Sequence, residues 1–87
     1  MTTKMLTIHN ASGLHARPAS VFVKACAKYQ AEITFVHKEK TYNAKSMINV
    51  MSASVRHGDT IKVQFDGPDE EQAAEAIEAL VNDGMGE

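Results

Sequence analysis

The segment from Gly13 to Pro18 reads Gly-Leu-His-Ala-Arg-Pro and brings an imidazole, His15, close to a guanidinium, Arg17. Pro18 suits the first turn of a helix, because its missing N–H would be unpaired there in any case, so a helix should start near Ala16. Unpaired backbone N–H groups and the positive end of the dipole favour a phosphate at a helix start. An arginine can add charge-assisted hydrogen bonds to its oxygens. Since a neutral imidazole can attack phosphorus, the pattern predicts that His15 accepts a phosphoryl group and that Arg17 stabilises it.

The spacing of these two side chains also fits a simpler interpretation. In it, His15 is an ordinary exposed loop residue and Arg17 is a solvated surface charge, because histidine beside arginine is common and helix starts are many. The residues alone leave both interpretations open.

Ser46 is a second candidate, because its hydroxyl stands directly before a short apolar periodicity formed by Met47, Val50 and Met51. We predict that Ser46 caps a helix of at most two turns, which contributes about 1 kcal/mol to the stability of that helix. So short a helix cannot bury all of its apolar side chains. We assign Val50 to the core and expect some of Met47, Ile48 and Met51 to remain exposed as an adaptable binding surface, called here the apolar patch.

The other three histidines are given no chemistry. His9, His37 and His57 lie on separate segments with no cysteine or carboxylate at ligand spacing, and we predict that they are surface residues. No metal site and no cofactor are predicted. The acidic residues of the last predicted helix are interpreted as a solvated face.

The elements that position these residues follow from the hydrophobic periodicity, which is two for strands and 3.6 for helices. Four strands and three helices predict an α+β fold, a four-stranded antiparallel sheet with all three helices on one face, in a single domain over residues 1–87. In chain order we predict a strand at Lys4–His9, a helix from near Ala16 to near Tyr29, a hairpin from Ile33 and Phe35 to Thr41–Asn43, a short helix after Ser46, a strand with Ile61, Val63 and Phe65, and a helix after Asp69.

The two longer helices have predicted buried stripes and one has predicted end signals. Asp69 with Gln72 resembles a capping box, and Gly84 is placed to end the last helix in a left-handed conformation. The stripes consist of Ala19, Phe22, Val23, Cys26 and Ala27 in the first helix and of Ala73, Ile77, Leu80 and Val81 in the last.

The composition limits the functional classes. The longest apolar runs among the 87 residues have three members, which excludes a membrane-spanning helix and a signal-peptide core. The single cysteine, Cys26, cannot form an internal disulfide, which favours a reducing compartment. We therefore expect a cytoplasmic protein without a membrane partner.

The charges are segregated along the chain. Residues 1–65 carry all 9 basic side chains and 3 acidic ones, whereas residues 66–87 carry 8 acidic side chains and no basic one. The basic part can attract acidic protein surfaces or phosphate groups. Because aromatic residues are not interleaved with it and arginines are not clustered, we predict no nucleic-acid partner.

The motifs and the order of elements together resemble the HPr family, the histidine-containing phosphocarriers of the bacterial phosphoenolpyruvate-dependent sugar phosphotransferase system. The likeness covers essentially the whole chain and rests on Gly13–Ala19 and Lys45–Ser52. It implies that His15 takes a phosphoryl group on Nδ1 from enzyme I and passes it to the A domains of sugar-specific enzymes II, while Arg17 steadies the phosphate. Such a protein is a stoichiometric carrier and not an enzyme.

The resemblance also implies roles for Ser46 and for the apolar patch. In relatives from Gram-positive bacteria an ATP-dependent kinase phosphorylates the matching serine, so HPr kinase/phosphorylase and a catabolite control protein are conditional further partners. A phosphate on Ser46 would add about two negative charges beside the patch and oppose the binding of enzyme I. Met47, Ile48 and Met51 are implied to be the surface on which enzyme I, enzymes II and the kinase dock.

Two other functions are compatible with the sequence. The nitrogen-related branch of the family shares the His15 motif but serves a regulatory phosphorelay, although Lys45 and Ser46 followed by Met47 favour the sugar branch. A small binding module for RNA or a metal has a compatible order of elements, but the aromatic residues and the cysteine and histidine pairs that it would need are missing.

Overall fold

A computed structural model describes residues 1–86, and within them it contains the predicted four strands and three helices in the predicted order. The strands form one antiparallel sheet in the order β1-β4-β2-β3, which confirms the α+β prediction. The elements are β1 Thr2–Thr7, α1 Ala16–Ala27, β2 Glu32–His37, β3 Lys40–Asn43, α2 Met47–Ser52, β4 Thr60–Asp66 and α3 Glu70–Asn82.

One face of the sheet is buried and the other is open to solvent. In β4, Ile61, Val63 and Phe65 are fully buried, and the residues between them are exposed or half-buried. The alternation arises because successive side chains of a strand point to opposite faces. The three helices cover the buried face, where the ring of Phe22 in α1 meets the ring of Phe35 in β2 edge-on, with centroids 6.1 Å apart.

The first helix buries most of its predicted stripe. Ala19, Phe22 and Cys26 are buried, Val23 is half-buried, and Ala27, the last residue of the helix, is exposed. Burial raises the pKa of the Cys26 thiol to about 12, as desolvation disfavours the thiolate.

The start of α3 differs from the predicted capping box. The Asp69 carboxylate turns away from its own helix and accepts the backbone N–H groups of Gln30 and Ala31, each at 2.8 Å. These amides follow the C-terminus of α1, so the carboxylate ties two helices together instead of capping one. At the other end of α3 the prediction holds, because Gly84 has φ 87° and accepts the left-handed conformation that side chains disfavour.

His37 is the histidine for which the surface prediction is wrong. It is only 5% exposed, whereas His9 and His57 are exposed as expected. The alternation of β2 explains the difference, because His37 has the same parity as Ile33 and Phe35 and therefore points to the core face.

Candidate functional site

His15 is the N-cap residue of α1, with extended backbone angles of φ −81° and ψ −171°. Its carbonyl oxygen accepts the N–H of Ala19 at 2.9 Å, the first bond of the helix. Within the described residues its imidazole makes no capping hydrogen bond to the helix, and the side chain is exposed. The ring thus stands at a helix start, where a partner protein can reach it.

The first turn of α1 is favourable for an anion. No residue of Ala16–Ala19 is acidic, and the turn includes Arg17, whose side chain is exposed. Pro18 is buried and anchors the turn to the core. The positive end of the helix dipole and the guanidinium therefore add their fields beside the imidazole of His15.

The loop before His15 is held firmly by a second loop. Leu14 is buried, and its N–H donates to the carbonyl of Val55 at 2.9 Å. Gly13 has φ +64°, and a Cβ on it would lie 2.5 Å from the Val55 oxygen and 2.7 Å from Cα of Arg56. Only glycine fits such a conformation and such a close approach. The loop after α2 therefore supports the backbone of the segment directly before His15.

A shallow, open depression of about 250 Å³ lies beside the imidazole. Its lining unites the loop before α1 with the end of α2 and the loop that follows it. The depression is lined, next to His15, by Ser12, Leu14, Met51, Ser54, Val55 and Arg56. Arg17, Ser46, Met47 and Ile48 are not part of this lining, so only Met51 connects the apolar patch to the edge of the histidine site.

Sequence reasoning missed Ser12, Ser54 and Arg56 in this depression. Arg56 is exposed and could have been found only by knowing that the segment after α2 folds back onto Gly13. Ser54 has φ 52°, a left-handed conformation that costs energy for any residue with a Cβ and for which the sequence carried no signal.

Ser46 caps α2 as predicted. Its Oγ accepts the backbone N–H of Asn49 at 3.3 Å and the Asn49 side-chain amide at 3.1 Å. The Asn49 side chain also accepts the N–H of Asn43 through Oδ1, at 3.2 Å. Asn49 thus holds the serine from two sides and ties α2 to the end of β3.

The apolar patch is partly exposed, and Val50 is fully buried, as the length of α2 requires. Ile48 is 79% exposed and Met51 is 41% exposed. Met47 is half-buried and packs against the core. Because α2 packs against α1 and Met51 shares the depression with His15, the patch reaches the histidine site through Met51. Their role in docking stays a prediction.

Residues 1–86 contain no candidate for a membrane-spanning helix or for a metal site. No helix there is both long and apolar enough to cross a membrane. In the same residues, no three side chains among histidine, cysteine, aspartate and glutamate lie close enough together to hold a metal ion.

Comparison with known proteins gives a consistent result. A family model described as the PTS HPr component phosphorylation site matches residues 2–83. The phosphocarrier protein HPr of Mycoplasma capricolum is 45% identical over 71 residues, which are 82% of this chain and 80% of that protein. The phosphocarrier protein HPr of Treponema pallidum is 36% identical over 80 residues, covering 92% of this chain and 91% of that one.

The fold shows the same likeness. The crystal structure of HPr-C-His from Thermoanaerobacter tengcongensis matches with a TM-score of 0.97 and 38% identity, over 100% of this chain and 98% of that one. An HPr structure from Bacillus anthracis matches with a TM-score of 0.88 and 36% identity, over 92% and 95% of the two chains. Sequence and fold agree over nearly the whole length, and the chain belongs to the PTS HPr family of phosphocarrier proteins.

Proposed function

We propose that this protein accepts a phosphoryl group on His15 from enzyme I and donates it to the A domains of sugar-specific enzymes II. The observation that supports this most directly is the exposed imidazole at the N-cap of α1, next to a first turn without acidic residues and with Arg17. The protein is then regenerated in each cycle and acts as a stoichiometric carrier.

The proposed reaction is a direct exchange of one bond to phosphorus for another. The lone pair of a neutral nitrogen of His15, Nδ1 by analogy with the family, attacks the phosphorus of the phosphorylated donor. The new N–P bond forms while the bond from phosphorus to the donor atom breaks, and the donor atom keeps the electron pair. Transfer to the next protein repeats the exchange in the opposite direction.

The role proposed for α1 and Arg17 is to stabilise the charge of the phosphoryl group. Unpaired N–H groups at a helix start are preorganised donors, so they cost little reorganisation when the dianion arrives. The Arg17 guanidinium is exposed and can move to meet the phosphate oxygens. Electrostatic stabilisation of this kind supports a reversible transfer in which the phosphate is neither lost to water nor held too tightly.

Docking is proposed to use the apolar patch together with Arg56, which lines the depression with Met51. Ile48 and Met51 supply exposed apolar area, and an enzyme I surface with acidic groups would complement the basic part of the chain. Regulation by phosphorylation of Ser46 follows the same logic, because a dianion there would stand directly before Met47 and Ile48 in the sequence. If Ser46 is phosphorylated, an ATP-dependent kinase and a catabolite control protein are the further partners.

The direct test is incubation of the protein with enzyme I and phosphoenolpyruvate, followed by phosphorus NMR. We expect one phosphate that is labile in acid, stable in base and absent from His15→Ala. Arg17→Ala should slow the transfer but leave the melting temperature nearly unchanged, because an exposed charge contributes little to folding. Phosphate retained in His15→Ala would reject the proposal.

A comparison of enzymes I from the sugar and nitrogen branches as phosphate donors would show which branch of the family this protein serves.

A further inference from the structure

His37 lies at the end of β2 and is nearly inaccessible to solvent. Both nitrogens of its ring face hydrogen-bond partners from later parts of the chain. Nδ1 lies 2.9 Å from the carbonyl oxygen of Ala53, and Nε2 lies 3.0 Å from Oδ2 of Asp59. A buried imidazole with both nitrogens engaged is a fixed point in the structure.

Both of these partners are acceptors. A backbone carbonyl such as that of Ala53 cannot donate. The pKa of Asp59 is held below its usual range, first by the hydrogen bond from the backbone N–H of Arg56 and then by the His37 ring. Asp59 is therefore an ionised carboxylate at neutral pH, and each of the two contacts joins an acceptor oxygen to a nitrogen of the His37 ring.

The two partners enclose the loop that supports the segment before His15. Ala53 is the C-cap of α2, and Asp59 stands directly before β4. Between them, Val55 accepts the N–H of Leu14, the residue next to the proposed phosphoryl acceptor. Asp59 also accepts the N–H of Arg56 at 3.0 Å, so it holds the loop from within.

This loop needs to be held in place, because its conformation is strained. Ser54 has φ 52°, a region in which a residue with a Cβ persists only when the surroundings fix it. Contacts at both ends of the loop supply such surroundings. The His37 ring contacts Ala53 at one end and Asp59 at the other, and Asp59 accepts the N–H of Arg56 within the loop.

We propose that His37 is a positioning residue for His15: through its ring contacts with Ala53 and Asp59 it fixes residues 53–59, and this loop in turn fixes the backbone at Leu14. His37 is not among the residues that line the depression beside His15. The proposal rests on the proposed function of His15 for its consequence in phosphoryl transfer, but its structural part is tested independently.

The first experiment compares His37→Phe with His37→Gln. Phenylalanine keeps a ring in the buried site but donates nothing, whereas the glutamine amide retains N–H donors. In His37→Phe we expect hydrogen exchange at the Leu14 amide to become about tenfold faster, because its bond to Val55 opens more often. His37→Gln should restore part of the protection. Unchanged exchange at Leu14 in a folded His37→Phe would overturn the proposal.

The second experiment measures phosphorylation of the same variants by enzyme I and phosphoenolpyruvate, well below their melting temperatures. A misplaced acceptor should lower kcat about tenfold with little change in KM, since the apolar patch that binds the partner is intact. His9→Gln is the matched control, because His9 is an exposed histidine and should keep the wild-type kcat. A folded His37→Phe with the wild-type kcat would contradict the positioning role.

A third measurement on the wild-type protein guards against variants that do not fold. Nitrogen-15 NMR should show a ring proton of His37 that is protected from exchange by burial and hydrogen bonding. Ring protons of His37 that exchange as fast as those of the exposed His9 would overturn the proposal. If instead wild-type His15 takes no phosphate while the Leu14 amide responds to His37 as expected, the proposed function fails and the structural tie stands.

Discussion

The N-termini of α1 and α3 have the same positive helix-dipole field, but the side chains in their first turns carry opposite charges. The first turn of α3 contains Glu70 and Glu71, and the Glu70 carboxylate accepts the N–H of Gly67 at 3.2 Å and lies 3.1 Å from the N-terminal ammonium group. The first turn of α1 contains no acidic residue and carries Arg17. A helix start supplied with its own carboxylates is committed to structure, whereas one without them keeps its field for an incoming anion.

The start of α2 is an intermediate case. Its cap is a neutral hydroxyl, that of Ser46, which already accepts hydrogen bonds from Asn49. The three helix starts of residues 1–86 thus range from an acidic one through a neutral one to a basic one, and only the basic one adjoins an exposed histidine. Four sets of variants test this difference between the helix starts and its consequence for docking.

The largest effect is expected from giving α1 a carboxylate of its own. Ala16 is exposed, so Ala16→Glu should leave the fold intact and slightly stabilise the helix through its dipole. The same charge would repel a phosphoryl dianion on His15, and we expect phosphorylation by enzyme I to fall about a hundredfold, which corresponds to about 2.7 kcal/mol. Ala16→Gln is the control of equal size without the charge. Equal rates for the two variants would show that the field of this helix start is unimportant.

The next effect concerns the carboxylate before α3. The pKa of Asp69 is lowered, mainly by the N–H of Gln30, so the ionised form stabilises the fold at neutral pH. That contribution to stability is lost as the pH falls below about 4, the pKa of an unfolded aspartate, and then through the lowered pKa of Asp69, because protonation removes the acceptor. In thermal melts Asp69→Asn should be less stable than the wild type at pH 7 and should lose less stability on acidification. Asp66→Asn, at an exposed position, should follow the wild-type curve.

A smaller effect is expected at α2. Ser46→Ala removes the cap and should lower the free energy of unfolding by about 1 kcal/mol in a urea titration. Ser46→Asp keeps a capping oxygen and should retain the fold, but its charge should slow phosphorylation by enzyme I. If Ser46→Asp left the kinetics unaltered, the regulatory role proposed for this serine would fall.

The smallest effect is expected at the exposed patch. Ile48→Ala should raise the KM for enzyme I about threefold with little change in stability, since an exposed side chain contributes mainly when a partner covers it. Met5→Ala is the matched control, because Met5 is also largely exposed but lies on β1. Equal KM values for both variants would place the docking surface elsewhere.

The sequence predicts best those features of this protein that depend on residues close together in the chain. Strand alternation predicted the buried face of β4, and the short apolar period after Ser46 predicted both the cap and the burial of Val50, because these features depend on neighbours a few residues away. The bounds of β1 were misplaced, at Lys4–His9 instead of Thr2–Thr7, since the end of a strand depends on its partner.

The errors fall where one segment meets a distant one. The sequence predicts Asp69 as the N-cap of α3 because aspartate side chains commonly accept backbone N–H groups a few residues away. The amides of Gln30 and Ala31, which it accepts instead, come within reach only after the chain has folded. The sequence predicts His37 at the surface because no metal ligand stands at a suitable spacing, whereas its contacts with Ala53 and Asp59 form only in the folded chain. The sequence also does not predict Arg56 at the histidine site, because only the tertiary structure brings Arg56 next to Gly13.

Cys26 has a practical consequence for the experiments above. It is the single sulfhydryl in the sequence, it is buried, and its pKa is raised to about 12, so almost none of it is in the reactive form at neutral pH. Maleimide dyes should therefore ignore the native protein. A new cysteine at an exposed position on α3, such as Gln72→Cys, could then carry a fluorophore without any change at the natural thiol, and report association with enzyme I in real time.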